Sequence, residues 1–318
     1  VLVTGGSGFI GSQFVAALAA DRRDVETLIS LDVREVPEGE RLPGVVHATG
    51  DIRGPEVASL LREHAVDTVV HLAAIVTPGK ETSRELLYSI DVGGTENVLA
   101  ACLAAGVRRF VVTSSGAAYG YYADNPLPLS EDDPIRGNPE FAYSDHKRLV
   151  EEMLARYREE HPELEQLIFR PGTVLGANAN NQITALFEKP VLIGVRGSDT
   201  PFVFIWDQDV VACLVLGVRD GRTGIYNLAG DGVMTLAEIA AAIGKRVIAI
   251  PAWLIRGVLA TLHPIGLSQY GPEQVDFLRY RPVLSNARLK SEFGYEPRMS
   301  SREVFDYFWS HRTSTGDS

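Results

Sequence analysis

The chain has 318 residues, 45% of them hydrophobic, and a formal net charge of −11 at pH 7. That length suffices for a large core or for two lobes sharing one. The acidic balance, with no basic stripe, argues against nucleic acid and against an anionic membrane surface, because both need clustered Lys and Arg. Cys102 and Cys213 are too few and too far apart for a disulfide framework or a Cys-rich metal site, and the seven His residues show no paired ligand spacing. A reducing cytoplasm is expected, with no metal. The first residues read as a strand rather than a signal peptide.

Val1 to Thr4 is a short apolar run, Gly5, Gly8 and Gly11 follow, and Phe14 to Leu18 has helical spacing. The order is strand, tight turn, helix. Glycines let the backbone approach an anion while free N–H groups and the helix dipole face it, so this loop is a candidate dinucleotide site. Glycine also serves ordinary turns, and context decides. The next apolar run, Val25 to Leu31, ends in Asp32, at the separation expected for an acid that binds an adenosine ribose diol.

Short apolar runs then alternate with helical stretches. Strands are expected over Val1–Thr4, Thr27–Asp32, Gly44–Ala48, Thr68–Ala73, Arg109–Ser114 and Gln166–Arg170, with helices near Pro55–His64, Ser83–Ala105 and Phe141–His161. This is the rhythm of an α/β fold, a Rossmann-type doubly wound parallel sheet. After Pro171 the rhythm breaks into glycines, prolines and the polar stretch Asn178 to Asn181, which predicts a smaller mixed lobe. We expect a nucleotide-binding domain over 1–172 and a substrate lobe over 173–318, with some segments returning to the first domain. Val247 to Leu262 is apolar but holds Pro251, Arg256 and Gly257, so it reads as a buried or substrate-covering helix and not as a membrane span. Residues from Arg312 onward read as a frayed tail.

Tyr143 and Lys147 lie four apart at the start of a helical stretch, on one face. Alone the pair says little. Its partner is Ser115, where Val111 to Ser114 runs off a strand and leaves a hydroxyl at its carboxyl end, the edge at which doubly wound sheets bind ligands. Ser115 could hold a substrate oxygen while Tyr143 moves its proton. A phenol titrates at about 10. An ammonium about 4 Å away contributes on the order of 4 kcal/mol at an effective dielectric of about 20, so Lys147 is expected to draw Tyr143 toward neutral pH.

Together, Thr4 to Gly11, Asp32, the strand end His71 to Ala74, Ser115, and Tyr143 with Lys147 resemble the extended short-chain dehydrogenase/reductase family, which includes the NAD-dependent epimerases and dehydratases. Asp91 to Val98 is similar to that family's central helix motif. Arg170-Pro171-Gly172 resembles the strand leading to the nicotinamide, and Leu289 to Pro297 the signature near the C-terminus. The resemblance implies that Gly5, Gly8 and Gly11, with Phe9 and Ile10, hold the pyrophosphate, Asp32 the adenosine ribose, and Asp51 with Ile52 the adenine. It implies further cofactor contacts from Leu72, Ala73, Ala74, Tyr143 and Pro171. Ser115 would orient the substrate oxygen, Tyr143 would be the acid/base, and Lys147 would hold the nicotinamide ribose and tune Tyr143. Val76, Thr77, Gly116, Ala117, Thr173, Phe202 and Phe204 are candidate substrate contacts. A homodimer formed through helices 83–105 and 141–161 is also implied. Asp32 favours NAD over NADP, since a carboxylate repels a 2′-phosphate; Arg34 reads as a solvated surface residue.

Two positions depart from the family. Phe202 stands where nucleotide-sugar members carry an Arg that grips the diphosphate. A diphosphate beside Phe202, Val203 and Phe204 without a cation would cost several kcal/mol, so the pocket reads as built for something apolar or weakly charged. Arg196, Arg279 or Arg281 could compensate. Asp91 stands where relatives commonly have Asn; it reads as part of a water or proton path, whose charge an ionised carboxylate would change, or as a helix cap, which is the favoured reading. The leading expectation is an NAD-dependent oxidoreductase acting on a secondary alcohol or ketone. The alternative is a nucleotide-sugar epimerase or dehydratase with tightly bound NAD, and a third reading is an idle dinucleotide sensor. Tyr119, Tyr121 and Tyr122 could line a substrate mouth.

Overall fold

The first half of the chain alternates strand and helix: β1 (Leu2–Thr4), α1 (Phe9–Ala20), β2 (Leu28–Asp32), β3 (Val45–Thr49), α2 (Glu56–Glu63), β4 (Thr68–His71), α3 (Arg84–Tyr88), α4 (Gly94–Ala105), β5 (Arg109–Thr113), α5 (Ala142–Glu160) and β6 (Glu165–Pro171). Then come β7 (Thr173–Leu175), α6 (Gln182–Glu188), β8 (Val191–Val195), β9 (Phe204–Trp206), α7 (Asp207–Asp220) and β10 (Gly224–Leu228). The chain continues through α8 (Leu236–Ala242), β11 (Arg246–Ile250), α9 (Ala252–Leu262), α10 (Gln274–Arg279) and α11 (Ser301–Ser314). This computed structural model describes residues 1–23, 25–79, 82–199, 201–262 and 271–314.

Seven strands form one parallel sheet in the order β10-β6-β5-β4-β1-β2-β3. The order reverses between β1 and β4, and in such sheets the crevice outside the carboxyl ends at that point takes the ligand. Both faces are covered, which is why the strands read as unbroken apolar runs. Successive residues of β1 face opposite layers. Leu2 packs into a core with Ile29, Val69, Val98 and Leu154, and Val3 into one with Phe14, Leu18, Val111 and Leu214. Each such side chain, fully buried, contributes about 1.5–3 kcal/mol.

After Pro171, β7 pairs with β9 and β8 with β11 in two small parallel sheets, while α7 and β10 return to the large sheet. Phe187, Phe204, Phe305 and Phe308 centre a separate apolar cluster in this part of the chain. α6 and α8 each begin on a capping box, Asn181 with Thr184 and Thr235 with Glu238.

Several expectations require correction. The helix expected over 83–105 is broken by a π-helical turn at Ser89–Gly93. Asp91 sits inside that turn and caps nothing: one carboxylate oxygen accepts the Ile75 N–H at 3.0 Å, and the other lies 3.1 Å from His146 Nδ1. The stretch 247–262 divides at Pro251 into β11 and α9. α9 is neither buried nor part of a cavity wall; Trp253 on it is 72% exposed. α11 extends to Ser314, and Arg312, expected to fray, donates to Ala179 O at 2.9 Å and pairs with Glu188. No helix among the described residues is long and apolar enough to cross a membrane.

Beneath the β1 and β4 ends, His71 lies between two threonines. Thr95 Oγ1 donates to Asp91 O at 2.6 Å, so it accepts from His71 Nε2–H at 3.0 Å, and His71 Nδ1 accepts from Thr4 Oγ1 at 2.7 Å. The ring is therefore neutral. Burial, with the nearby Lys147 charge, pushes its pKa down to about 3. As pH falls below the unfolded value of about 6.5, the unfolded chain takes up this proton first, so stability is lost between about pH 6.5 and 3. His71→Asn should remove a component of about 1.4 kcal/mol per pH unit from that slope, measured by urea unfolding of both proteins at several pH values.

Candidate active site

The loop after β1 is held by close backbone packing. Gly5 has a positive φ of 69°, and a Cβ there would lie 2.7 Å from Ala73 N; a Cβ on Gly11 would lie 2.0 Å from Gly5 O. No other residue fits either position without moving the backbone. Gly8 caps α1 with no side-chain hydrogen bond. The first-turn N–H groups of Phe9, Ile10 and Gly11 have no intrahelical acceptor, and these three residues form part of the wall of a cavity of about 550 Å³. This is the geometry that binds a pyrophosphate.

A second cavity of about 250 Å³ lies over the β1, β2 and β4 ends, lined by Gly5, Asp32, Asp51, Ile52, Ala73 and their neighbours. Asp32 accepts the Ser7 N–H and the Arg34 N–H, each at 3.0 Å. Arg34 is not simply solvated: although its side chain is 64% exposed, it contacts the Asp32 carboxylate at 3.3 Å and donates to Ser7 O at 2.6 Å. Asp51 is paired with Arg53 at 2.6 Å, and the Arg53 hydrogen bonds hold its carboxyl below the ordinary range.

At the other end of the large cavity, β5 delivers Thr113, Ser114 and Ser115, and the first turns of α5 deliver Tyr143 and Lys147. Ser115 Oγ accepts from Ala117 N at 3.1 Å, and Ser144 Oγ donates to Ala117 O at 2.7 Å, which ties the start of α5 to the turn after β5. Lys147 Nζ donates to Thr113 O at 3.0 Å and lies 5.8 Å from the Tyr143 ring centroid. Burial lowers the Lys147 pKa, opposed by Asp91 and Glu151. The expected lowering of Tyr143 does not occur in the protein alone. Burial pushes its phenol up to about 12, against a downward pull from the Ser115 hydrogen bond. Lys147 Nζ lies over the Tyr143 ring and gives its hydrogen bond to Thr113 O.

Behind the site, Arg170 on β6 forms a buried fork with Glu151 of α5, with Nε at 2.9 Å from both carboxylate oxygens. Ser114 Oγ donates to Glu151 at 2.5 Å, and Arg170 also donates to Tyr119 Oη at 2.8 Å. The ring of charge-assisted bonds fixes the β5 end relative to α5.

The structure brings Phe9, Ile10, Gly11, Leu72, Ala74, Ser115, Tyr143, Lys147 and Pro171 around one cavity, with Val76, Thr77, Gly116, Ala117 and Thr173 of the candidate substrate set. Phe202 and Phe204 do not belong there. They alternate with Val203, and only Val203 reaches the cavity, while both phenylalanines stack in the Phe187 cluster. This segment therefore meets the cavity through Val203 and not through its phenylalanines. Instead the Arg281 guanidinium lies 4.4 Å from the Phe202 ring centroid and lines the cavity. Among the described lining residues Arg281 and Lys147 are the cations, and none is a carboxylate. Of the three tyrosines, Tyr121 lines the cavity; Tyr119 is buried behind it, and Tyr122 donates to Gly137 O.

Sequence reasoning missed Thr113, Ser114 and Phe141 as lining residues, placed Val203 in the pocket only alongside the two phenylalanines, and took Asn178, Asn180 and Asn181 only as a mark of the changed rhythm. Those carboxamides, with Gln182, line the cavity. Their run ahead of the α6 capping box was the available signal.

An uncharacterized protein of Mycobacterium tuberculosis is 26% identical over 321 residues, covering 99% of this chain and 84% of that one. The UDP-glucose 4-epimerase of Erwinia amylovora is 32% identical over 190 residues, covering 58% of this chain and 56% of that one. The crystal structure of Thermus thermophilus UDP-glucose 4-epimerase in complex with NAD superposes with a TM-score of 0.73 at 25% identity, covering 98% of this chain and 97% of that one. The profile of the NAD dependent epimerase/dehydratase family matches residues 1–229, and the chain belongs to this family of NAD-using enzymes.

Proposed function

We propose that the protein carries out reversible hydride transfer at a secondary alcohol or ketone carbon, with Ser115, Tyr143 and Lys147 as its working residues. The observation that carries the reading is their meeting on one wall of the 550 Å³ cavity whose other wall is the start of α1. Gly5, Gly8, Gly11 and the first-turn N–H groups would hold the cofactor pyrophosphate, Asp32 the adenosine ribose, and Asp51 with Ile52 the adenine side. Lys147 would hold the nicotinamide ribose. Bound NAD supplies the hydride acceptor or donor.

Ser115 donates a hydrogen bond to the substrate oxygen and sets its distance from Tyr143. In alcohol oxidation Tyr143 takes the hydroxyl proton as the carbon loses hydride; in reduction it returns that proton to the oxygen. Lys147 stabilises the tyrosinate, the form that takes the proton in oxidation and is left after reduction.

A second reading, nucleotide-sugar epimerisation or dehydration, uses the same proton step and returns the hydride before release. Arg281 supports it, because an acid-free cavity holding a guanidinium suits an anionic substrate. The test is a panel of UDP-glucose, UDP-glucuronate, dTDP-glucose and uncharged secondary alcohols, followed at 340 nm and by product analysis. Net NADH identifies the oxidoreductase, and an altered sugar without net NADH the epimerase or dehydratase. Absence of both across the panel would contradict the proposal. The reading includes a homodimer through α3, α4 and α5, checked by light scattering, and a reducing, cytoplasmic setting suited to the buried free thiols of Cys102 and Cys213.

A further inference from the structure

α9 and the β8–β11 sheet carry exposed apolar side chains, on either side of α10, that the site does not use. Trp253, Leu254 and Val258 are 72%, 42% and 46% exposed, and their spacing along α9 places them with Gly257 on one stripe. Arg256 points off that stripe, to Asp276 on α10 at 2.7 Å. On the small sheet, Ile193 and Ile248 are register partners, 47% and 51% exposed. α10 packs against both β8 and α9, so the two apolar areas flank one element.

The charge of this face is opposite to that of the whole chain. Residues 189–196 and 245–262, which carry the patch, include Lys189, Arg196, Lys245, Arg246 and Arg256 and not one Asp or Glu, in a chain of net charge −11. On adjoining segments Asp276 is paired with Arg256 and Glu188 with Arg312, while Asp199 and Glu273 are the further carboxylates beyond the two stretches. Lys245 donates to Phe187 O at the rim. The overall acidity therefore hides a local basic border around exposed Trp, Leu, Ile and Val.

We propose that this face docks the protein on an anionic lipid bilayer, with Trp253, Leu254, Val258, Ile193 and Ile248 entering the headgroup boundary and Lys189, Arg196 and Arg246 meeting lipid phosphates. An aromatic ring at the water interface, apolar neighbours and a cationic rim are the combination such surfaces select. A lone apolar patch would fit a protein partner equally well; the excess of cations over acids on the two segments that carry the patch favours phosphate. α9 is too short and too interrupted to span, so the protein would lie on the surface. The face is close to the cavity: Phe277 of α10 packs on Tyr121 and Phe141, at 5.0 and 4.6 Å between ring centroids.

The test is co-sedimentation of the full chain with phosphatidylcholine vesicles, with and without phosphatidylglycerol, together with Trp emission. Binding to the anionic vesicles and a blue shift that Trp253→Ser abolishes are expected, with affinity falling as salt rises. Lys189→Glu, Arg196→Glu and Arg246→Glu should each weaken binding by about fivefold or more. All variants lie at exposed positions, and circular dichroism checks that they fold. Failure to sediment with anionic vesicles would overturn the proposal. So would self-association that Trp253→Ser removes, because it would assign the face to a second copy of the chain.

Discussion

Tyr143→Phe is expected to lower kcat by about 10²- to 10⁴-fold on whichever substrate the wild type turns over, the range for loss of a positioned acid/base. NAD binding should persist, because the phenol hydroxyl contributes nothing to the glycine loop or to Asp32. The direction of pH dependence follows from burial. A phenol pushed up to about 12 keeps its proton at neutral pH, so Tyr143 is ready to act as an acid in ketone reduction. Alcohol oxidation needs the tyrosinate, and its rate should rise with pH while reduction stays flat through neutrality. Steady-state kinetics in both directions between about pH 6 and 9 would show the asymmetry. Equal pH profiles in the two directions, or a Tyr143→Phe enzyme of undiminished kcat, would contradict the assignment.

Arg281→Met should raise KM for an anionic substrate by about thirtyfold, corresponding to about 2 kcal/mol, with kcat little changed. Methionine retains apolar contact with Phe202 and removes the charge. The size follows from the absence of any carboxylate in the described wall of the cavity: the guanidinium rests on the Phe202 ring, and no acid in that wall competes with a ligand for its charge. Arg281→Lys should recover part of the loss, since it restores the charge without the planar fork. If KM for UDP-glucose, UDP-glucuronate and dTDP-glucose is the same in wild type and Arg281→Met, the nucleotide-sugar reading falls and an uncharged alcohol or ketone becomes the substrate to seek.

The parallel sheet was legible because its strands are buried on both faces, so runs such as Val69-Val70 and Phe110-Val111-Val112 stand out against the helices between them. The glycine loop was legible for a similarly direct reason: Gly5 and Gly11 are forced by backbone contacts that no side chain survives. Asp91 was misread because the added residue of a π-helical turn leaves little mark on a helical pattern, and only the fold brings His146 and Ile75 to its carboxylate. Phe202 and Phe204 were misassigned by one residue of strand alternation, which exchanges the cavity face for the core face. Periodicity gives the stripe on α9 and cannot say whether it meets a core, a substrate or solvent. Arg281 reaches the cavity through the tertiary fold, so the sequence offered it as one of three candidates.

The most direct test is a crystal structure of the protein grown with NAD. The account predicts the pyrophosphate against the N–H groups of Phe9, Ile10 and Gly11, the adenosine ribose on Asp32, and the nicotinamide in the large cavity beside Tyr143 and Ser115, with Lys147 on its ribose. A nicotinamide lying away from Tyr143, or an adenosine that leaves Asp32 paired only with Arg34, would contradict it.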